Sequence, residues 1–491
     1  MLPALVAVMK IWGKMNNPSI KKNIVISTLY QILSILTPLI TAPYVSRIIG
    51  TDGIGAYSYT SANQTYFSLI AALGTASYGM REIARNRNDK VKRSQLFWEI
   101  ELLSVLTSVA MLVIWAIFIG FQKKNQVMYL ILTLNLFNTM LDISWFFDGL
   151  EQFQYTVTKN ALVKIAGVIL ILLFIKSPQD TNLYVFIMTG TTLLGTMSMW
   201  LELHKFVIKT PIKLSHLKSH FHETLIYFIP TIATSIYTYM DKSLIQVITN
   251  SNAENAYYEQ ATKIINLTKA VTFTAVNNVL GARISFLFAQ KRIDEIKERI
   301  RGSIDYILFI GVGIGFGLIG ISDTFVPIFF GQGWDKVVLL LRLFSPQIVI
   351  IGISNCLGAQ YYNPAGLRKQ SAVYIIIGAV VNFVLNLFLI PHFASAGATC
   401  ASIIAELTIS ILYLKNSNGF LDAAYIFKVL WKKLLAGAAM AAVILLLNGL
   451  GIGNFAKLLI QFVAGSATYL VMLMLLKDKS FKFMLKMLKR G

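Results

Sequence analysis

Charged side chains are scarce in this chain. Asp, Glu, Lys and Arg make up 14% of its 491 residues, whereas hydrophobic residues make up 56% and the mean hydropathy is +0.64. Soluble domains carry about 25% charged residues, because a water-facing surface needs them. The composition therefore excludes a soluble globular domain and indicates a protein whose surface faces lipid.

Cysteine and catalytic motifs are also lacking. The two cysteines, Cys356 and Cys400, lie inside apolar segments, so the sequence predicts no disulfide framework. It contains no G-x-x-x-x-G-K-[ST], G-x-S-x-G, H-E-x-x-H or C-x-x-C motif. We therefore expect no P-loop ATP hydrolysis, no catalytic residues and no cofactor, which means that the protein is not an enzyme.

Histidine is rare but locally concentrated. His204, His216, His220 and His222 lie around one predicted cytoplasmic loop, and His216 and His220 are four residues apart. Neither a cysteine nor a carboxylate stands at a suitable spacing beside them for a metal site. We expect a solvated polar loop there and no bound metal.

Long apolar runs dominate the rest of the chain. About fourteen of them reach the roughly 20 residues that a helix needs to cross a bilayer. Helices satisfy their own backbone hydrogen bonds in lipid, and the runs are too long for barrel strands. The fold class is therefore predicted to be an all-α polytopic membrane protein with about 14 transmembrane helices.

Basic residues outnumber acidic ones, and the formal net charge is +21. Nucleic-acid binding would call for basic patches interleaved with aromatic residues on one face. Here Lys and Arg instead occupy short loops on one predicted side of the membrane, for example within residues 81–93 and 291–301. The positive-inside rule then puts both termini in the cytoplasm.

Weak internal similarity divides the chain. Residues 51–59 resemble 251–258, residues 79–83 resemble 281–284, and residues 159–161 resemble 369–371. This pattern predicts two six-span halves in parallel orientation followed by two further helices. The predicted segments are a cytoplasmic segment 1–22, an N-lobe 23–208, a cytoplasmic linker 209–222, a C-lobe 223–415, extra spans 416–476 and a basic cytoplasmic tail 477–491.

Several polar residues fall at membrane depth, where an ionised group costs several kcal/mol unless it has a partner or a wet cavity. Hydroxyl and amide groups there can simply bond neighbouring helices, and Asp241 can neutralise Lys242. For Lys242, Lys263 and Lys269 we favour function, because cations outnumber deep carboxylates in that half. Such an excess of positive charge predicts an anionic cargo.

Five segments resemble Wzx-type polysaccharide flippases of the multidrug/oligosaccharidyl-lipid/polysaccharide (MOP) superfamily, which includes MATE-like exporters. They are residues 41–50 (TAPYVSRIIG), 53–59 (GIGAYSY), 78–84 (YGMREIA), 142–151 (DISWFFDGLE) and 362–369 (YNPAGLRK). The resemblance implies two six-helix lobes around a V-shaped cavity. It also implies flipping of undecaprenyl-pyrophosphate-linked oligosaccharides to the outer leaflet of the bacterial cytoplasmic membrane, for capsule, exopolysaccharide or O-antigen assembly.

On this resemblance, the polar residues acquire expected roles. Pyrophosphate would bind Arg47, Lys242, Lys263, Lys269 and Arg283. Sugars would contact Gln31, Asn138, Trp145, Thr234, Thr238 and Asn277, and H⁺ or Na⁺ coupling would use Asp142 or Asp241. The expected partners are the lipid-linked oligosaccharide, the coupling ion, membrane lipids and polysaccharide polymerase machinery, without nucleic acid.

Two other functions remain open. A MATE-like drug or cation antiporter should carry uncompensated carboxylates to attract cations. A membrane-embedded glycan polymerase should carry a long extracytoplasmic loop with clustered Arg, His or Asp, and the sequence has no such loop.

Overall fold

A computed structural model describes the backbone of residues 18–481. Side chains are described over 33–481, apart from residue 35 and positions within 229–238 and 274–282. The described part of the chain is helical and contains no strand. The first nine helices are α1 Pro18–Ala72, α2 Thr75–Arg85, α3 Lys90–Phe121, α4 Gln126–Leu141, α5 Ser144–Gly149, α6 Phe153–Phe174, α7 Thr181–Leu203, α8 Leu214–Thr249 and α9 Asn252–Lys269. The remaining seven are α10 Ala275–Ala289, α11 Ile293–Phe330, α12 Asp335–Leu357, α13 Arg368–Phe393, α14 Ser395–Lys415, α15 Ala423–Leu446 and α16 Asn454–Leu475.

The number of crossings agrees with the prediction. Among the described residues, ten helical stretches are long and apolar enough to cross a membrane. By length, α1 adds two more crossings, since its 55 residues break at Gly50. The 36-residue α8 and the stretch from α9 through α10 add one each. The chain is therefore an all-α, multi-pass membrane protein.

Gly50 separates the first two crossings. Its φ of 72° lies in the left-handed region, which costs a residue with a side chain about 1–2 kcal/mol. Glycine is therefore the residue that accommodates the kink between the two helical halves of α1.

Helix α3 shows why this fold needs lipid. Leu106, Val109 and Val113 follow one another at helical spacing and are exposed, whereas Ser104 and Ser108 on another face are buried. In water this arrangement would be unfavourable, because apolar surface would be hydrated and hydroxyls desolvated. In a bilayer it puts apolar side chains against lipid and small polar residues at helix contacts.

The first compact unit is described over residues 18–256. Within it α1 packs against α3, α4, α6 and α8, and α7 packs against α4 and α6. The unit extends beyond the predicted N-lobe and includes α8. Of the predicted linker 209–222, residues from Leu214 onward are already helical. The lobe boundaries themselves stay a prediction.

The second compact unit is described over residues 257–481. Here α11 packs against α12, α15 and α16, and α14 packs against α12 and α13. Gly437 of α15 admits Phe316 of α11, where a Cβ atom would lie 2.5 Å from the ring. This close contact of a small and a large residue packs α15 against α11.

Candidate functional site: polar networks within the helices

Two lysines on α6 lie inside a candidate membrane span. The Lys159 ammonium donates to Thr196 Oγ1 at 3.2 Å, and Thr196 in turn donates to Asn138 Oδ1 at 2.5 Å. The Lys164 ammonium donates to Ser34 Oγ at 2.6 Å. Lys159 thus meets Thr196 of α7 and Lys164 meets Ser34 of α1, and the Asp148 carboxylate lies near enough to interact with Lys159. The sequence analysis gave neither lysine a role, although each interrupts an apolar run.

Further amides and hydroxyls on α4 and its neighbours form hydrogen bonds between helices. Asn135 of α4 donates to Gln64 Oε1 of α1 at 3.2 Å, and Gln64 donates to Ser68 Oγ at 2.6 Å. Asn63 bridges Tyr129 of α4 and Ser243 of α8 through bonds of 3.0 and 3.1 Å. Such groups can fix helix contacts or accept and donate bonds to sugar hydroxyls.

The predicted coupling residue Asp142 lies where α4 ends. Its Oδ1 accepts a bond from the Ser144 backbone N–H at 3.0 Å, so one oxygen shapes the turn before α5. Its carboxylate also lies near enough to repel Glu101 of α3. Glu101 is 3% exposed, and neither of its side-chain oxygens has a hydrogen-bond partner among the described residues. The sequence analysis missed Glu101, although this carboxylate directly precedes the apolar run 102–121.

Trp145 is a packing residue in this conformation. Its side chain is buried and stacks on Phe97 with ring centroids 5.6 Å apart. Gly79 lies against the ring so closely that a Cβ atom there would be 2.4 Å away. Phe146 and Phe147 are buried beside it in the same cluster. In this conformation the ring offers no exposed face to a sugar, and the sugar contact at Trp145 stays a prediction.

Six further predicted residues lie elsewhere in the first unit. Arg47 is exposed on α1. Asp241 of α8 is buried, and the Lys242 ammonium lies 5.6 Å from the centroid of the Tyr239 ring, within cation–π range. Gln31, Thr234 and Thr238 lie on helices, but their side chains fall outside the described residues.

In the second unit, carboxylates accompany some of the predicted cations. Lys263 forms an ion pair with Glu259 one helical turn earlier, at 3.3 Å. Arg283 approaches Glu295 of α11 at 3.5 Å. Lys269 ends α9, directly before a π-helical turn at residues 270–274, and Glu406 is near enough to attract it. The excess of positive charge inferred from sequence is therefore smaller here than the lysines alone suggested.

Amide side chains form two networks in this unit, the first half-buried and the second buried. The predicted sugar contact Asn277 bonds Asn355 of α12, and Gln360 donates to Asn277 Oδ1 at 2.9 Å. On α13, Asn386 donates to Asn382 Oδ1 at 3.0 Å, and Asn382 approaches Ser402 of α14 at 3.4 Å. The second network was missed, although the four-residue spacing of its asparagines puts both on one helix face.

His216 and His220 lie on helix α8 and contact a buried carboxylate, so the predicted solvated loop is wrong for these two residues. His220 is 6% exposed, and its Nε2 lies 3.0 Å from Glu99 Oε2 of α3. His216 Nδ1 lies 3.1 Å from the same oxygen. The carboxylate that sequence spacing did not reveal comes from a helix more than a hundred residues earlier in the chain. Among the described residues, these three form the one group of His, Cys, Asp or Glu with metal-ligand spacing.

The chain is similar to known proteins that act in polysaccharide biosynthesis or carry the name of an O-antigen transporter. The model of a family described as "Polysaccharide biosynthesis protein" matches residues 20–285. A protein named "Putative O-antigen transporter" from Escherichia coli (strain K12) is 22% identical over 415 residues, which are 81% of this chain and 97% of the relative.

Solved structures show the same fold. A lipid II flippase, MurJ, in an inward closed conformation matches with a TM-score of 0.74 at 17% identity, over 92% of this chain and 97% of the other. An inward-facing multidrug resistance MATE transporter of the MOP superfamily matches with a TM-score of 0.59 at 13% identity, over 83% and 95%. The helices therefore adopt the fold of this transporter superfamily.

Proposed function

The chain belongs to the polysaccharide biosynthesis protein family, and from that premise we propose that it is a flippase for lipid-linked oligosaccharides. The family match carries the proposal. The O-antigen transporter among its relatives and the flippase of the same fold support it. The protein then acts as a transporter and not as an enzyme.

The substrate we propose is an undecaprenyl-pyrophosphate-linked repeat unit. It would pass from the inner to the outer leaflet of the bacterial cytoplasmic membrane, by alternating access, with both termini cytoplasmic. A pyrophosphate needs cationic donors, and Lys159 and Lys164 provide two inside the helices of the first unit. Arg47, Lys242, Lys263, Lys269 and Arg283 remain proposed contacts, with Lys263 and Arg283 weakened by their acidic partners. The amide networks around Asn138 and Asn277 are the proposed sugar contacts.

The coupling ion we propose is H⁺. An ionised carboxylate buried without donors costs several kcal/mol, so Glu101 is suited to hold and release a proton as its surroundings change. Asp142, which lies near enough to act on it, is the proposed partner in that exchange. Asp241 remains a second proposed coupling residue.

A liposome assay tests the anion-binding proposal. Reconstituted protein receives a fluorescent isoprenoid-pyrophosphate oligosaccharide, and leaflet exchange is followed by quenching from outside. We expect the Lys159→Ala/Lys164→Ala double variant to lose at least about tenfold in exchange rate, which corresponds to losing one charge-assisted bond. The matched control is Lys205→Ala, whose ammonium forms a surface ion pair with Glu202. Equal loss in both variants, or in neither, would contradict the proposal.

A MATE-like cation antiporter is the second candidate, because a multidrug MATE transporter shares the fold and Glu101 is a buried carboxylate. The same liposomes decide between the two. Movement of a fluorescent organic cation without exchange of the oligosaccharide would favour the antiporter.

A further inference from the structure

Residues 208–213, which precede α8, are hydrogen-bonded to the first turns of α3. Trp98 Nε1 donates to the carbonyl of Ile208 at 3.1 Å, and the Ile208 N–H donates to Ser94 Oγ at 3.1 Å. The Lys213 N–H then donates to Glu99 Oε1 at 3.1 Å. These bonds bring the start of α8, with His216 and His220 one helical turn apart, to the side of Glu99.

The three side chains have the chemistry and spacing of a metal site. Two imidazoles and one carboxylate are a familiar zinc ligand set that leaves one position open. Their ligand atoms lie within 4.8 Å of one another, and both histidine nitrogens are 3.0–3.1 Å from Glu99 Oε2. A tetrahedral ion with bonds of about 2.0–2.1 Å separates its ligands by about 3.3 Å, so little movement is needed.

The surrounding bonds support the same arrangement. Gln95 Nε2 donates to Glu99 Oε1 at 2.9 Å, beside the bond from Lys213, so Oε1 is occupied and Oε2 is directed at the histidines. The Tyr78 hydroxyl lies 2.7 Å from His220 Nδ1. It can accept that N–H once Nε2 binds a metal, as outer-shell partners of ligating histidines do.

We propose that Glu99, His216 and His220 bind a divalent transition-metal ion of the zinc class. The ion links Glu99 to histidines more than a hundred residues later in the chain and holds the start of α8 against α3. Holding α8 against α3 in this way does not depend on which substrate the protein moves.

The test uses the full-length protein in detergent, purified without a polyhistidine tag, because such a tag would bind zinc itself. The protein is stripped with a chelator, equilibrated with ZnCl₂ and dialysed, and zinc per chain is measured by elemental analysis. His216→Ala is the decisive variant, since His216 is 46% exposed and its truncation should not prevent folding. His222→Ala is the matched control, an exposed histidine on the same helix.

We expect the wild type and His222→Ala to retain one zinc ion more per chain than His216→Ala. Titration should show affinity in His216→Ala weaker by about 100-fold or more, as loss of a direct ligand exceeds loss of an outer-shell partner. Zinc should also raise the Tm of the wild type and leave that of His216→Ala unchanged. Co²⁺ in place of Zn²⁺ should give a four-coordinate visible spectrum that the variant lacks.

Two results would overturn the proposal. Equal zinc in the wild type and His216→Ala would mean that the ion binds elsewhere. No retained zinc in the wild type would mean that the histidines only donate hydrogen bonds to Glu99.

Discussion

Glu99 and Glu101 stand two residues apart on α3, and each is almost completely buried, with exposures of 1% and 3%. Two residues turn a helix by about 200°, so the side chains project to different faces. Glu99 meets Gln95, the Lys213 N–H and two histidines. Glu101 has no hydrogen-bond partner among the described residues. Burial alone therefore does not decide what a carboxylate does, because the number of donors around it decides whether its charge is stabilised.

Replacing Glu99 should have the largest effect. Glu99→Ala removes the common acceptor of Gln95, His216, His220 and a backbone N–H, and leaves buried donors unsatisfied. We expect the free energy of unfolding to fall by about 3 kcal/mol or more, measured by urea unfolding in mixed micelles with a chelator present. A loss below about 1 kcal/mol would show that these bonds contribute little to stability.

Lys433 is the counterpart of Glu99 in the second unit, a buried charge with several partners. Its replacement tests whether such a charge also contributes to the free energy of unfolding there. Its ammonium is 0% exposed and contacts Asp305 at 2.6 Å and Asp478 at 3.2 Å. Lys433→Ala leaves two carboxylates without their cation, so we expect a loss of about 3 kcal/mol in the same unfolding assay. Lys428→Ala, an exposed lysine on the same helix, is the control. Similar stability of the two variants would refute the analogy with Glu99.

His216 should have an intermediate effect. His216→Ala removes one half-exposed donor of Glu99 while the other donors remain. In chelator we expect a loss of about 1 kcal/mol, the usual value of a single hydrogen bond. A loss as large as that of Glu99→Ala would mean that His216 organises the whole cluster.

Glu101 should matter least for stability. Glu101→Gln keeps the shape of the side chain and breaks no hydrogen bond in the described structure, so we expect a change below about 1 kcal/mol. On the proposed H⁺ coupling, the same variant should no longer respond to a pH gradient in liposomes. Glu99→Gln, measured in parallel, should instead lose stability. If the two glutamine variants lost the same stability and responded alike to a pH gradient, Glu99 and Glu101 would not have the different roles argued here.

Much of the site could not be foreseen from sequence. The i, i+4 pairs His216/His220 and Lys263/Glu259 are visible as spacings, because a helix fixes which residues share a face. The carboxylate that completes the histidine cluster is not visible, because Glu99 is brought there by the docking of residues 206–213 on α3. Trp145 is a different case. Its position beside a polar turn indicates a sugar contact, and only the structure shows that the ring packs against Phe97.

The sequence by itself determined the class of the protein. Apolar runs long enough to span a bilayer dictate helices, because only helices satisfy their backbone bonds within one such segment. The tertiary structure decided which buried charges have partners, since those partners come from helices distant in the chain. Glu99 and Glu101 have the same chemistry and nearly the same local sequence environment. Gln95 on the same helix, together with the docking of residue 213 and of α8 against α3, gives Glu99 the partners that Glu101 lacks.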